Sequence, residues 1–203
     1  NFPDMVGLCE VENRSVLNDI VKNKILVKAD YAVVHEESPD ARGIDVGLLY
    51  RPSTFKYLTH QKIPVTFTDD STRTRDILYV KGITNKKDTL HVYVNHWPSR
   101  RGGAEKSEPK RMAAASALKL HKDSLVKLHP KAKIVMIGDF NDYPVNNSMI
   151  EVLEAKGDIK EVYGNSLFNT MYNKHVQDKT GTHCFKGEWG VLDQIVVSGS
   201  LLD

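Results

Sequence analysis

Apolar residues in this chain occur in short runs that end at polar residues. The clearest run, residues 134–137, is closed by a glycine and followed by an Asn-Asp-Tyr-Pro turn sequence, which predicts a buried β-strand. An alternating run ends at His96, another run ends at Glu10, and a fourth contains Asp193. The pattern therefore predicts strands that carry polar side chains at or near their ends.

Helical periodicity appears in three places. A fourfold spacing of apolar residues predicts a helix near 15–21, and a longer helix is predicted over 109–128, where a proline stands near the first turn. A shorter helix is predicted near 148–155, before an irregular stretch over 157–180. Further predicted strands lie near 5–9, 31–35, 44–51, 56–60 and 76–80. Because helices are interspersed among strands, the order indicates an α/β domain.

Composition excludes few functions. With 203 residues, of which 40% are hydrophobic, the chain can bury a sizeable core, and no apolar run is long enough to span a membrane. The net charge of +2 provides no global basic field for tight, sequence-independent binding of DNA. A small-molecule or short-oligomer substrate is therefore left open.

Asp139 and Asn141 suggest phosphate ester chemistry. Strand alternation places both side chains on the same side. A carboxylate suits a hard divalent cation or a water that must lose a proton, and an amide can donate to an anionic oxygen. The alternative is that both residues cap backbone groups in a turn, as Asp and Asn often do. Asp193 lies within an apolar run, where an unpaired charge is costly, so it is predicted to serve a polar partner.

Four segments resemble motifs of the endonuclease/exonuclease/phosphatase family, the metal-dependent phosphodiesterase superfamily that includes deoxyribonuclease I. Leu-Cys-Glu ending at Glu10 resembles the family's Leu-Gln-Glu metal motif, and Asn-His-Trp around His96 resembles its substrate-phosphate histidine segment. Gly-Asp-Phe-Asn at 138–141 matches a family motif, and Val-Leu-Asp-Gln at 191–194 resembles the family's Leu-Asp-Tyr strand. The four segments occur in family order across nearly the whole chain.

The resemblance implies a deoxyribonuclease I-like fold, a four-layered sandwich of two mixed β-sheets flanked by helices. Family members begin with a strand ending in a catalytic asparagine and finish with a Ser-Asp-His motif, and neither is found in these residues. Residues 1–203 are therefore expected to be a fragment of a single domain, incomplete at both ends. Its exposed sheet edges would favour self-association.

The resemblance also implies roles for the strand-end residues in a Mg²⁺- or Mn²⁺-dependent phosphoesterase. Glu10 would hold the metal, which polarises a phosphoryl oxygen. Asp139 would orient or deprotonate the attacking water, and Asn141 and His96 would donate to phosphate oxygens. Asp193 would orient the family's C-terminal histidine, its general acid or base.

Residues near these motifs are candidates for substrate binding. Ser99 and Arg100 follow His96, and a guanidinium presents a planar fork of donors that suits phosphate oxygens. Arg75 begins an apolar strand where the family often has a Thr-Arg pair that contacts substrate. Arg42 is a weaker candidate. Other residues in these regions are interpreted as surface or loop residues: Arg73, Arg101, Lys106 and His183.

The family does not fix the substrate. Near-neutral charge and the lack of a lipid-binding apolar protrusion favour a nuclease or general phosphodiesterase over a membrane enzyme. Inositol phosphate and sphingomyelin phosphodiesterase branches remain alternatives. From a different class, a non-catalytic phosphate- or nucleic-acid-binding module, or a purely structural domain, would share the fold. The joint presence of the four acidic and amide residues argues against both: Glu10, Asp139, Asn141 and Asp193.

Overall fold

The computed structural model describes residues 2–68, 73–178 and 180–202. Within these ranges the strands are β1 (Met5–Val11), β2 (Ala32–His35), β3 (Asp45–Tyr50), β4 (Phe55–Ile63), β5 (Ile77–Thr84), β6 (Thr89–His96), β7 (Lys133–Asp139), β8 (Ala155–Lys156), β9 (Leu167–Asn169), β10 (His183–Phe185), β11 (Glu188–Gly190) and β12 (Asp193–Ser198). The α-helices are α1 (Arg14–Lys22), α2 (Ala104–Leu128) and α3 (Tyr172–Val176). Most predicted strands are confirmed to within a few residues.

The strands form two packed sheets and a separate hairpin. The larger sheet has the order β4-β5-β6-β7-β12-β9-β8, with β6 parallel to β7 and β8 parallel to β9. The smaller sheet has the order β1-β3-β2 and is antiparallel throughout. Its strands β2 and β3 follow each other through a short connection, which antiparallel pairing allows. Among the described residues, strands β10 and β11 pair only with each other.

Three apolar clusters hold the four layers together. Helix α1 packs on the smaller sheet through Leu17, and the two sheets face each other through residues such as Leu48 and Val80. Helix α2 covers the other face of the larger sheet through Leu118. At Gly7 a Cβ atom would lie 2.6 Å from the Ile137 side chain, so the absence of a side chain lets the sheets approach there.

Helix α2 begins five residues before the predicted start. Pro109 is its sixth residue, inside the helix, where the missing N–H leaves one helical hydrogen bond unmade. The N-cap is Gly103, which supplies no side-chain hydrogen bond. Ser107, within the first turn, donates its hydroxyl back to Gly103 O at 2.7 Å.

The region after β7 also differs from expectation. The predicted helix near 148–155 is a single π-helical turn, Ser148–Val152, in which Leu153 N donates to Ser148 O at 3.0 Å. The stretch predicted to be irregular contains a 3₁₀ turn at Ile159–Glu161, strand β9 and helix α3. Within the described residues, no helix combines the length and apolar character that a membrane crossing requires.

Buried His91 makes stability depend on pH. Its ring is 2% exposed, and Nδ1 lies 2.7 Å from the Tyr79 hydroxyl. Burial, assisted by the charges of Lys81, His129 and His121, lowers the pKa of His91 from 6.5 to about 4. The unfolded chain therefore binds this proton more readily than the folded protein between those pH values. The stability that neutral His91 provides is present above pH 6.5 and is lost as the pH falls.

We expect His91→Gln to flatten the pH dependence of unfolding. The His91 contribution amounts to a loss of about 2 kcal/mol between pH 7 and pH 5, at roughly 1.4 kcal/mol per pH unit below 6.5. Urea unfolding at half-unit pH steps measures the slope. The control is His183→Gln, because His183 is exposed and is not among the charges that lower the pKa of His91. Parallel curves for the wild type and His91→Gln would contradict the assignment.

Candidate active site

Three predicted catalytic residues lie at one edge of the larger sheet. His96 ends β6 and Asp139 ends β7, and the parallel register pairs these two residues. Strand β12 runs in the opposite direction and begins at Asp193, which the register pairs with Asp139. Folding therefore brings together polar residues from three distant segments of the chain.

Asp139 is held by the turn that follows it. Its Oδ1 accepts a hydrogen bond from Asn141 N at 2.8 Å, and its Oδ2 accepts one from Asn141 Nδ2 at 3.1 Å. Asn141 Nδ2 also donates to Trp97 O at 2.9 Å. Asn141 has a φ of 50°, a left-handed conformation that asparagine tolerates better than most residues. The carboxylate and the amide thus form one fixed unit.

The glycine before Asp139 is required by the close approach of two strands. Gly138 has a φ of 128°, and a Cβ atom there would lie 2.0 Å from Asn95 O. Any other residue would clash with the backbone of β6. In the Gly-Asp-Phe-Asn sequence, the glycine is therefore required by the packing of two strands, and the second and fourth residues supply polar side chains.

The electrostatic environment of Asp139 raises the pKa of its carboxyl. Burial is the largest cause of a raised pKa at this carboxyl. The hydrogen bond from Asn141 N opposes this effect, and the nearby charge of Asp193 adds to it. His183 in β10 is close enough to lower the pKa slightly. His183 is exposed, as predicted, and it lies beside the site.

Asp193 is exposed, although the apolar run around it suggests burial, and its predicted service to a polar partner stays a prediction. Alternation along β12 turns Asp193 outwards and turns Gln194 into the core, where it is 2% exposed. Gln194 Nε2 donates to Asp142 O at 2.6 Å, and Gln194 Oε1 accepts from Asn169 Nδ2 at 2.5 Å. The polar side chain that this strand places in the core is therefore the amide of Gln194. Asp193 faces solvent and Asp139.

His96 is a buried, neutral imidazole. It is 5% exposed, and its Nε2 lies 3.8 Å from Asp139 Oδ2. Burial is the main cause that lowers the pKa of His96 to about 3, with the positive charges of Arg75 and Arg42 adding to it. Its Nδ1 is buried without a hydrogen-bond partner among the described residues. A neutral ring can donate one hydrogen bond but brings no positive charge to a phosphate.

Arg75 fixes the loop that follows His96. Its Nε donates to His96 O at 3.1 Å and its Nη2 to Trp97 O at 2.6 Å. Its Nη1 donates to Asp40 Oδ2 at 2.9 Å. Since its side chain is only 4% exposed, the guanidinium supports the site from within the protein.

Arg100 holds the turn after Asp139. Its Nε donates to Asn141 O at 2.9 Å, and its Nη2 donates to Asp142 Oδ1 at 3.1 Å. The guanidinium also lies 3.9 Å from the centre of the Tyr143 ring. Most of its polar atoms are directed to the protein, whereas neighbouring Ser99 is exposed.

Glu10 lies where β1 leaves its regular pairing. It is exposed, and its φ of 57° is unusual for a residue other than glycine. The register with β3 shifts between Leu8 and Val11, and such a bulge re-aims a side chain. Cys9 Sγ donates to Asn95 O at 3.3 Å, which places this end of β1 beside the end of β6.

The pKa of the Cys9 thiol depends on the burial of the residue and on the charges around it. Burial is the main cause that raises the pKa of the Cys9 thiol to about 11, and the charges of Asp139 and Asp193 add to it. The charges of both carboxylates, which lie in the larger sheet, therefore act on Cys9, the residue next to Glu10 in the smaller sheet. This arrangement brings the fourth predicted strand end to the same edge.

Within the described residues, one group of three side chains has metal-binding atoms within 4.8 Å of one another, and it does not include Glu10. It consists of His35, Glu37 and Asp45. Asp45 Oδ2 lies 3.1 Å from His35 Nε2, and Asp45 Oδ1 accepts from the Ser38 backbone and hydroxyl at 2.8 and 2.6 Å. The buried polar groups of this cluster already satisfy one another, which accounts for their proximity.

A cavity of about 380 Å³ opens beside the loop that Arg75 fixes, and we call it the basic pocket. Loop and helix segments from three parts of the chain contribute its walls. Its cationic lining residues are Arg42, Arg73, Arg75, Arg101, Lys106 and Lys110. The sequence interpretation of Arg73, Arg101 and Lys106 as scattered surface charges misses this cluster, because only tertiary folding brings the segments together.

Comparisons with known proteins give one family and one fold. A sequence model of the Endonuclease/Exonuclease/phosphatase family matches residues 1–203. A search of curated proteins finds no match. Among solved structures, the human Nocturnin catalytic domain with bound sulfate anion superposes with a TM-score of 0.70 at 17% identity, covering 97% of this chain and 69% of that chain.

Two other solved structures show the same likeness. Truncated Caenorhabditis elegans TDP2 has a TM-score of 0.66 at 16% identity, covering 97% of this chain and 71% of that chain. ANGEL2, described as a 2′,3′-cyclic phosphatase, has a TM-score of 0.65 at 15% identity, covering 98% of this chain and 70% of that chain. At these identities the likeness concerns the fold, and it confirms the predicted deoxyribonuclease I-like arrangement.

Proposed function

Because the chain belongs to the endonuclease/exonuclease/phosphatase family, we propose that it is a Mg²⁺- or Mn²⁺-dependent phosphoesterase that cleaves phosphodiester bonds in nucleic acid. Residues 1–203 would form part of a single catalytic domain. The main support is the convergence of His96, Asp139 and Asp193 at one sheet edge, with Asn141 bonded to Asp139. Nucleic acid is favoured because one TDP2 structure is described as complexed with a single strand DNA product.

The carboxylates at this edge have the chemistry that a hard divalent cation prefers, although their ligand atoms do not all lie within 4.8 Å of one another. Glu10, Asp139 and Asp193 offer carboxylate oxygens, the ligand type that Mg²⁺ takes in proteins. Asp139 and Asp193 are paired in register, and their mutual repulsion is one cause of the raised pKa of Asp139. A cation would offset this excess of negative charge, and Glu10 would hold it. Bound there, it would supply a Lewis acid that polarises a phosphoryl oxygen.

Each of the other polar residues has a role that its contacts support. Asp139, locked by two hydrogen bonds from Asn141, would orient or deprotonate the attacking water. Neutral His96 would donate to a phosphate oxygen, and Asp193 would orient the family's general acid or base. Asn141 Nδ2 donates to Trp97 O and Asp139 Oδ2, so Asn141 would donate to a phosphate oxygen by exchanging one of these two bonds.

Of the three predicted substrate-binding residues, two are assigned to positioning and one to contact with the substrate. Arg75 and Arg100 would act as positioning residues, because their donors bond to the loops that carry His96 and Asn141. Exposed Ser99 remains a proposed contact to substrate. Arg75 and Arg100 could still add positive potential to the phosphate site without direct contact.

Hydrolysis assays with metal and chelator test the function. The protein is incubated with single-stranded oligonucleotide, plasmid DNA, bis(p-nitrophenyl) phosphate and inositol phosphates, with Mg²⁺ or Mn²⁺ and then with EDTA. We expect turnover of the nucleic acids that EDTA removes and added metal restores. Preference for an inositol phosphate would move the assignment to that branch. Binding of oligonucleotide without turnover of any substrate would favour the non-catalytic module.

Glu10→Gln is expected to lower turnover by at least roughly 100-fold, since a bound metal supplies several kcal/mol of charge stabilisation in the transition state. Its apparent affinity for Mg²⁺, measured by titration of activity and by calorimetry, should fall in parallel. Glu12→Gln is the matched control, because Glu12 is an exposed acid two residues away. Equal activity and Mg²⁺ affinity in both variants would remove Glu10 from the site.

A further inference from the structure

We propose that the basic pocket binds a second phosphate group of the substrate, one that neighbours the phosphoester being cleaved. This inference rests on the proposed function and specifies its substrate class: molecules with at least two phosphates, of which an oligonucleotide is the simplest. The pocket is separate from the strand edge that carries Asp139, and the loop after His96 lies between them.

Positive charge is concentrated in the pocket although the whole chain is near neutral. Arg42, Arg73, Arg101 and Lys106 line it, and all four are exposed, whereas the net charge of the chain is +2. The charge is therefore local to this cavity. Its volume of about 380 Å³ is near the lower end of small-molecule sites, which run from about 300 to 1,000 Å³.

Among the described residues, one acid also lines the pocket. Asp40 accepts from Arg75 Nη1 at 2.9 Å and from Arg42 Nε at 3.3 Å, so its charge is offset by residues of the pocket wall. Arg42 keeps about half of its side-chain surface exposed, at 51%. The remaining field in the pocket favours an anion.

Thr74 supplies a donor that the protein itself does not use. It is 4% exposed, lines the pocket, and its Oγ1 is buried without a hydrogen-bond partner among the described residues. Such a group is costly unless something pairs with it. A phosphate oxygen that gained access to this hydroxyl would accept its hydrogen bond, and the preceding residue, Arg73, also lines the pocket.

The amino end of α2 points to the same ligand. Gly102, Lys106 and Ser107 line the pocket, and the N-cap Gly103 makes no side-chain capping bond. A 25-residue helix concentrates partial positive charge at this end, and its first N–H groups are natural donors to an anion. Side-chain charge, an unpaired hydroxyl and a helix end thus converge on one cavity.

The pocket and the catalytic edge are linked through shared residues. Arg75 lines the pocket and also donates to the carbonyls of His96 and Trp97. The charge of Arg42 is close enough to lower the pKa of His96. A phosphate in the pocket would therefore lie on the far side of one short loop from the reacting phosphate.

The test compares substrates that differ only in a terminal phosphate. The kcat/KM values for dTpdT, 5′-phosphorylated dTpdT and 3′-phosphorylated dTpdT are measured for the wild type, for Arg101→Ala/Lys106→Ala and for Thr74→Val. The control Lys24→Ala/Lys28→Ala removes the same charge at two exposed positions elsewhere. Inositol 1-phosphate and inositol 1,4-bisphosphate form a parallel pair that shows whether the second phosphate belongs to a nucleotide or a polyol.

We expect one of the terminal phosphates to raise kcat/KM by roughly tenfold or more, the value of one charge-assisted hydrogen bond. The advantage should shrink towards unity in Arg101→Ala/Lys106→Ala, should weaken in Thr74→Val, and should persist in the control. Turnover of unphosphorylated dTpdT should be unchanged in the double variant. Equal rates with and without terminal phosphates, or an advantage that survives in the double variant, would overturn the inference.

A failure of the proposed function gives a different pattern. If no substrate is cleaved, calorimetric binding of thymidine 3′,5′-bisphosphate decides the pocket independently of catalysis. Binding that weakens by roughly tenfold in Arg101→Ala/Lys106→Ala but not in the control would support a phosphate site. Undetectable binding, or equal affinity in the wild type and the double variant, would overturn it.

Discussion

Asp139→Asn is expected to lower the turnover of a phosphodiester by about 10²- to 10⁴-fold, the range that a general acid or base contributes. The substitution removes the carboxylate that would orient or deprotonate the attacking water and keeps the shape of the side chain. It also loses one of the two hydrogen bonds from Asn141, but it removes the charge that faces Asp193. The free energy of unfolding should therefore change by no more than about 1 kcal/mol.

Steady-state rates and urea unfolding of the same preparation separate chemistry from stability. The matched control is Asp88→Asn, at the opposite end of β6, where Asp88 Oδ1 pairs with Lys133 Nζ at 3.0 Å. This surface pair is worth about 0 to 1 kcal/mol, so Asp88→Asn should keep full activity. Unchanged activity in Asp139→Asn would exclude the carboxylate from the mechanism, and a large loss of stability would leave misfolding as the cause.

The strand ends of the site could be predicted because each has a local signal. Short apolar runs precede Glu10, His96 and Asp139, and the observed strands end within one residue of these positions. The exposure of Asp193 is not predicted by such patterns. Apolar neighbours on both sides suggest burial, but burial depends on the phase of alternation, and only the pairing with β7 fixes that phase.

Other features have no signal in the sequence. Gly103 begins α2 without a capping side chain, whereas Pro109 is a stronger local signal and points to the wrong position. The basic pocket joins residues separated by more than 20 positions along the chain, such as Arg42, Arg73 and Arg101. In the sequence these residues cannot be distinguished from ordinary solvated surface charges, because only the fold places them around one cavity.

Arg111 is another residue whose burial the sequence pattern does not predict, and its replacement is expected to have a large effect on stability. It lies within α2 among charged and small residues, yet it is 1% exposed. Its Nε lies 2.6 Å from Asp142 Oδ1, off the angle of a hydrogen bond, so this contact is an ion pair. Its Nη1 and Nη2 donate to Ser107 Oγ and Ala104 O, each at 2.7 Å. The guanidinium thus ties the start of α2 to the turn that carries Asn141.

Arg111→Met is expected to destabilise the protein by about 3 to 5 kcal/mol, because it leaves the buried Asp142 carboxylate without its nearest cation. Arg100 and the Ser148 hydroxyl still contact Asp142, which favours the lower part of that range. The exposed control Lys127→Met should change stability by less than about 0.5 kcal/mol.

The double variant Arg111→Met/Asp142→Leu separates loss of the pair from the cost of an orphaned charge. When both partners are replaced by apolar side chains, no unpaired carboxylate remains, so the destabilisation should be well below the sum of the two single variants. Urea unfolding of the wild type, both single variants and the double variant gives the coupling energy. Additive effects, or an Arg111→Met variant as stable as the Lys127→Met control, would mean that the ion pair does not hold this turn. Positive coupling would make Arg111 a structural support of the site, because Asp142 directly follows Asn141 in the chain.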